Sequence, residues 1–163
     1  MIATQSAPAV VRIISKHGSA EIIENVETKE KSLRATRKIQ KGELLHGFSA
    51  GKIFSKPNYL TVQVGVDKHI ALAPEFLQYI NHSCDPNVFF DTSTFEVRTL
   101  RDIDMNEEFT FFYPSTELDM AQPFNCYCGS GCCLQTIRGA VHIDRDVLKN
   151  YDLTDFIKSQ LNF

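Results

Sequence analysis

Tyr79 to Asn87 reads YINHSCDPN, an amide, an imidazole, a hydroxyl and a thiol in succession before Pro86 halts the backbone. The apolar run PEFLQYI (Pro74 to Ile80) leads into it and the apolar strand NVFF (Asn87 to Phe90) leads out, which places these polar groups inside the fold. A buried amide or imidazole without a hydrogen-bond partner costs about 1–3 kcal/mol. Partners for Asn81 and His82 are therefore expected. Taken alone, the stretch reads as an Asx or ST turn ahead of Pro86, whose ring biases Asp85 away from the helical region.

A second stretch changes that balance. FNCYCGSGCC (Phe124 to Cys133) brings Cys126, Cys128 and Cys133 close together far downstream, and Cys84 is the candidate fourth thiol. Four thiolates suit a closed tetrahedral zinc site, with Zn–S distances of about 2.3 Å and no position left for water, so such a site would be structural. Gly129 and Gly131 let the backbone turn so that the thiols aim at one point. Free core cysteines or disulfides are the other readings. Five cysteines without a secretory leader make a disulfide framework the weaker of these. A register in which Cys132 replaces Cys133 stays open.

NHSCDPN (Asn81 to Asn87), EEFTFFY (Glu107 to Tyr113) and CYCGSGCC (Cys126 to Cys133) together resemble, in order and spacing, the signatures of the SET-domain protein lysine methyltransferases and their post-SET zinc segment. The resemblance spans about Val10 to Gly139 and is nearest to small bacterial members that run from the post-SET cysteines into a short helical tail. It implies a mainly β fold of the SET (β-clip) type with few short helices: a SET domain over 10–116, a post-SET zinc segment over 117–140 and a helical tail over 141–163. The implied activity is methyl transfer from S-adenosylmethionine to a lysine of a protein or peptide, with histone-like proteins among the candidate substrates.

The same resemblance assigns roles. Tyr113 is the catalytic tyrosine, and Tyr59 assists it while walling the lysine tunnel with Phe111. Asn81 by its side chain and His82 by its backbone hold the cofactor, with donors from Lys31 and Ser32 and with Phe124 as a lid over the adenine. Cys84, Cys126, Cys128 and Cys133 hold zinc. Phe111 occupies the position where phenylalanine, lacking a hydroxyl, implies di- or trimethylation. Two departures matter. The family's G-x-G turn aligns with Glu30-Lys31-Ser32, without either glycine, and Phe112 stands where the family usually carries Asp. Both fit a second reading, a non-catalytic reader or scaffold that binds a partner through a zinc-stabilised module.

The rest of the chain is consistent with one domain of 163 residues. A net charge of −3 excludes broad affinity for a phosphate backbone and favours a basic partner. MIATQSAPAV lacks the charged start and apolar middle of a signal peptide, and no run is long and apolar enough to span a membrane, so an intracellular protein with no nucleic acid or membrane partner is expected. Val10 to Ile14 and Ala20 to Val26 read as a hairpin, and Glu43 to Phe48 as a strand pairing back on it, continued by Gly51 to Phe54. YLTVQVGV (Tyr59 to Val66) alternates as a half-buried strand with Leu60, Val62, Val64 and Val66 on one face. His69 reads as a surface or strand-end histidine. Phe89 to Leu100 reads as a hairpin, and Glu107 to Tyr113 as a strand with Phe109, Phe111 and Tyr113 on one face. Ile143 to Asn150 and Thr154 to Leu161 read as helices, packed on the zinc segment or on a second subunit of a homodimer.

Overall fold

The computed structural model describes residues 9–163; most of the stretch read as lacking leader character lies outside them, in residues 1–8. Strands dominate: β1 (Val11–His17), β2 (Ala20–Asn25), β3 (Lys31–Ala35), β4 (Leu44–Gly47), β5 (Ser49–Phe54), β6 (Thr61–Gly65), β7 (Lys68–Ala73), β8 (Asn81–His82), β9 (Val88–Asp91), β10 (Glu96–Thr99) and β11 (Thr110–Phe111). They form three antiparallel sheets, ordered β1-β2-β3, β4-β10-β9 and β5-β7-β6, plus the parallel pair β8-β11. The first hairpin turns through Gly18 at φ +60°, a left-handed conformation that glycine adopts without steric cost. Leu33, Ile39, Phe48, Ile70, Leu77, Phe90, Val97 and Phe109 meet in the central core, all nearly inaccessible.

Several sequence expectations change. Strand β4 pairs with β10, His46 opposite Val97, and not with the first hairpin. Strand β5 does not continue it but joins β7 in a different sheet. In YLTVQVGV only Thr61–Gly65 forms a strand; Tyr59 and Val66, at 71% and 66%, stay exposed, while Gln63, on the expected polar face, is buried. The reason is that residues 116–118 cover the outer face of β6. Gln63 is satisfied there: its Oε1 accepts from the Leu118 N–H at 3.1 Å and its Nε2 donates to the Gly65 carbonyl at 3.2 Å. His69 is likewise buried in β7 instead of lying at the surface.

Asn87 holds the two signature segments together. Its Oδ1 accepts from the Thr110 N–H at 2.8 Å and its Nδ2 donates to the Glu108 carbonyl at 2.8 Å, so one buried side chain satisfies both backbone polarities of the segment leading to Tyr113, of which only Thr110–Phe111 forms a strand where Glu107 to Tyr113 was expected to. Such fully paired buried amides fix register, because breaking either bond leaves a buried group unpaired.

Beyond the cysteines, β12 (Phe124–Asn125) pairs with β13 (Thr136–Ile137), followed by α1 (Arg145–Leu148) and α2 (Asp155–Leu161). Asp144 and Thr154 cap the two helices through their side chains. The apolar face of the tail is buried on the chain's own core: Leu148, Leu153 and Ile157 enclose Phe112, whose ring stacks on Tyr151 with centroids 3.7 Å apart. Phe112, just past β11, is thus an apolar anchor for the tail. Truncating a buried isoleucine costs about 2–5 kcal/mol. Ile157→Ala is expected to lower the urea-unfolding free energy by that amount, and an unchanged midpoint would mean that the tail does not unfold with the core.

Candidate active site

Parallel pairing of β8 with β11 sets Asn81 opposite Thr110 and His82 opposite Phe111, so the two distant signatures lie side by side. Just past β11 the Tyr113 N–H donates to His82 Nδ1 at 3.2 Å. Nδ1 is therefore the acceptor nitrogen, and the neutral ring carries its proton on Nε2, which faces Cys84 Sγ at 3.4 Å. Burial among Phe112, Tyr113 and Phe124 pushes the imidazole down to about 4, which keeps it uncharged at neutral pH. The resemblance gave His82 a backbone role; its ring in addition ties the tyrosine segment to the thiols.

Tyr113 is largely buried, and burial pushes its phenol up to about 12, so the hydroxyl stays protonated. Its ring contacts Phe111 at 4.7 Å and Phe124 at 5.9 Å, centroid to centroid. Two concavities meet at these aromatics. One, of about 540 Å³, is lined by Glu30, Asn81, His82, Tyr113, Phe124 and residues of the cysteine loop. The other, of about 310 Å³, lies on the far side, lined by Tyr59, Leu77, Ile80, Phe111, Tyr113, Glu117 and Phe124 among others. Tyr113 and Phe124 line both. Both volumes suit a small ligand or a single side chain.

Not every expected residue faces these spaces. Lys31 and Ser32 do not line the 540 Å³ hollow; Glu30 does. Ser32 is buried in β3 opposite Ile23, and the Lys31 carbonyl accepts from Asn81 Nδ2 at 3.2 Å. The left-handed backbone expected of the missing glycines falls one position earlier, at Lys29 with φ +64°. Tyr59 lines the smaller cavity from its exposed side. Glu117 and Tyr151 lie outside the motifs and were not singled out by the sequence, and Glu30 entered only as part of the turn without glycines.

The thiols converge. Sγ atoms of Cys84, Cys126, Cys128 and Cys133 all lie within 4.8 Å of one another, with Cys84 and Cys126 at 4.0 Å. Four sulfurs about 2.3 Å from a tetrahedral centre would stand about 3.8 Å apart. Cys132 stays outside the group, exposed, with its Sγ directed at the Cys84 carbonyl at 3.2 Å. Backbone N–H groups of Leu134 and Gln135 donate to Cys84 and Cys133 sulfurs, each at 3.4 Å, an arrangement suited to thiolate charge. Burial alone pushes the Cys84 thiol above its ordinary range and Cys126 up to about 11; a bound cation would reverse this. The donor set fits a metal ion, with all four positions taken by protein.

Comparison with known proteins agrees with this arrangement. Residues 30–114, from the floor of the larger hollow to just past Tyr113, match the SET domain family. Methyltransferase flvH of Aspergillus flavus is 46% identical over 123 residues, covering 69% of this chain and 68% of that protein. That relative is fungal, whereas the motifs had suggested small bacterial members. With two signature segments paired at one tyrosine and a thiol cluster beside them, the chain belongs to the SET-domain family of methyltransferases.

Proposed function

We propose that the protein acts inside the cell, transfers methyl groups from S-adenosylmethionine to the ε-amine of lysine in a basic protein or peptide, histone-like ones included, and proceeds to di- or trimethyllysine. The observation that carries this reading is the shared wall: Tyr113 and Phe124 border both a hollow at Asn81 and a second, mainly apolar cavity. An in-line transfer needs donor and acceptor on opposite sides of one aligned group. In this reading Asn81 holds the donor, Glu30 sets a carboxylate beside its cationic end in place of the missing glycine turn, and Phe124 covers the adenine.

When bound, S-adenosylmethionine supplies an electrophilic methyl on a sulfonium. The chain supplies alignment. Only a neutral amine attacks, and with an ordinary pKa of about 10.4 roughly 0.04% of free lysine is neutral at pH 7. The apolar walls Leu77, Ile80 and Phe111 disfavour the ammonium by desolvation. The protonated Tyr113 hydroxyl orients the amine, and Tyr59 closes the outer side of the tunnel. Catalysis then comes from positioning and electrostatics without a covalent enzyme intermediate. Cys84, Cys126, Cys128 and Cys133 would hold a structural zinc as a post-SET segment, keeping Phe124 in place.

Phe111→Tyr adds a hydroxyl that holds a water against a partly methylated amine, so products are expected to shift toward fewer methyl groups, read by mass spectrometry of a lysine peptide at long reaction times. Wild-type product that stops at monomethyllysine would contradict the degree proposed. The scaffold reading draws on Glu30-Lys31-Ser32 in place of G-x-G. Titration calorimetry decides between them: binding heat with S-adenosylmethionine and label transferred to lysine peptides support the enzyme, while no heat from a zinc-loaded protein supports the scaffold.

A further inference from the structure

The smaller cavity contains a carboxyl group that nothing in the preceding mechanism uses. Glu117 is 7% exposed and lines the cavity together with Tyr113, Phe111, Leu77 and Ile80. Its backbone is pinned on both sides: the Glu117 N–H donates to the Tyr113 carbonyl at 3.1 Å, and the Glu117 carbonyl accepts from the Ala140 N–H at 2.9 Å. Gly139 permits that approach, at φ +116° and with Leu118 O only 2.6 Å from where a Cβ would stand. Oε1 accepts from the Gln63 N–H at 3.1 Å; among the described residues no hydrogen bond reaches Oε2.

A carboxyl group among apolar walls is costly unless a cation or a proton accompanies it. No lysine, arginine or histidine lines this cavity, whose other titratable groups are Tyr59 and Tyr113. Behind Glu117, Asp119, Arg138 and His142 are exposed, and His142 is bonded to Asp119 at 2.8 Å, so none of them neutralises the carboxyl from within. Burial pushes Glu117 up to about 8, making its carboxylate a stronger base than an ordinary one and matching it to neutral pH.

We propose that Glu117 is the proton acceptor for the substrate amine, the residue that converts the entering ammonium into the nucleophile. This rests on the reading of the cavity as an amine tunnel. An arriving ammonium favours the ionised carboxyl, and the proton Glu117 held passes to solvent. In the ternary complex the neighbouring sulfonium disfavours the ammonium, and one N–H proton moves to the Glu117 carboxylate, leaving R–NH2 and a carboxylic acid. The nitrogen lone pair then forms the N–C bond as the C–S bond breaks with its electron pair on sulfur, giving a methylammonium and a neutral thioether. Before a second transfer Glu117 releases its proton to solvent and takes one from the methylammonium. A di- or trimethylated product needs this reset once for each methyl group after the first.

The test compares wild type with Glu117→Gln, which keeps an acceptor for the Gln63 N–H but takes no proton. Positioned acid–base groups contribute about 10²–10⁴-fold. With a lysine peptide, kcat/KM of E117Q is expected to fall by about 100-fold at pH 7.5, and the deficit to shrink toward pH 9.5 as free amine becomes available. A loss by the same factor at every pH, or no loss, overturns the proposal. Carbon-13 NMR of carboxyl-labelled wild-type protein with n-butylammonium gives a readout independent of turnover and of whether E117Q folds. The Glu117 carboxyl is expected to move to its ionised shift at pH 7. No movement in a protein that methylates lysine peptides overturns the proposal and leaves the methyltransferase reading standing. Movement without any methyl transfer keeps the amine site and removes that reading.

Discussion

Tyr113→Phe is expected to lower the single-turnover rate of methyl transfer by about 10²–10³-fold, the cost typical of removing one preorganised donor at a reacting centre. The substitution deletes one oxygen and leaves the ring, so the packing on Phe111, His82 and Phe124 and the backbone N–H bond to His82 Nδ1 are retained. Affinity for S-adenosylmethionine and thermal stability should therefore change little. That combination, slow chemistry with intact binding, separates a hydroxyl acting in the transition state from one that only supports the fold. Equal rates in the two proteins would take the Tyr113 hydroxyl out of the chemistry.

Metal removal has the other large effect. Elemental analysis is expected to find one zinc per chain, and a strong chelator to lower Tm by more than about 10 °C, since each kcal/mol shifts Tm by about 2–4 °C in a protein of this size and structural zinc contributes several kcal/mol or more. Without the ion, four thiols within 4.8 Å must either protonate or separate. Cys84→Ser should reproduce the loss, because Cys84 is the thiol of the cluster that joins the cysteine loop to the strand carrying Asn81 and His82. Cys132→Ser should keep the metal. A protein that retains zinc as Cys133→Ser but loses it as Cys132→Ser would reverse the assigned register.

Motif-level features were legible in the sequence because each is short and chemically dense. The grouping of the four thiols was legible in residue type and spacing, and the meeting of the NHSCDPN and EEFTFFY segments in the family resemblance that these motifs carry. Pairings set by distant partners were not legible: nothing near Leu44–Gly47 states that β10, some fifty positions on, will lie beside it. Gln63 misled for a related reason. Alternation tells which residues share a face, but the cover over the second face of β6 comes from residues 116–118, which only the folded chain brings there. Glu117 was overlooked on the same account, as an acidic residue in an unremarkable loop reads as solvated until its neighbours are known. Phe112 was flagged as a departure, and the tail that explains it was expected to pack on the zinc segment or on another subunit; its partner ring, Tyr151, lies in that tail.

The ring of Phe124 borders both ligand spaces and is set at the start of β12, next to Cys126. A ligand that fixes this ring from one side removes freedom that the other ligand would otherwise have to remove, so the two affinities become thermodynamically linked. Linkage is reciprocal: whatever factor S-adenosylmethionine would add to the affinity of the proposed acceptor, the acceptor would add to the affinity of S-adenosylmethionine. An enzyme built this way favours the loaded ternary state over either half-filled one, and shortening Phe124 to Ala should uncouple the pair before it abolishes either binding event.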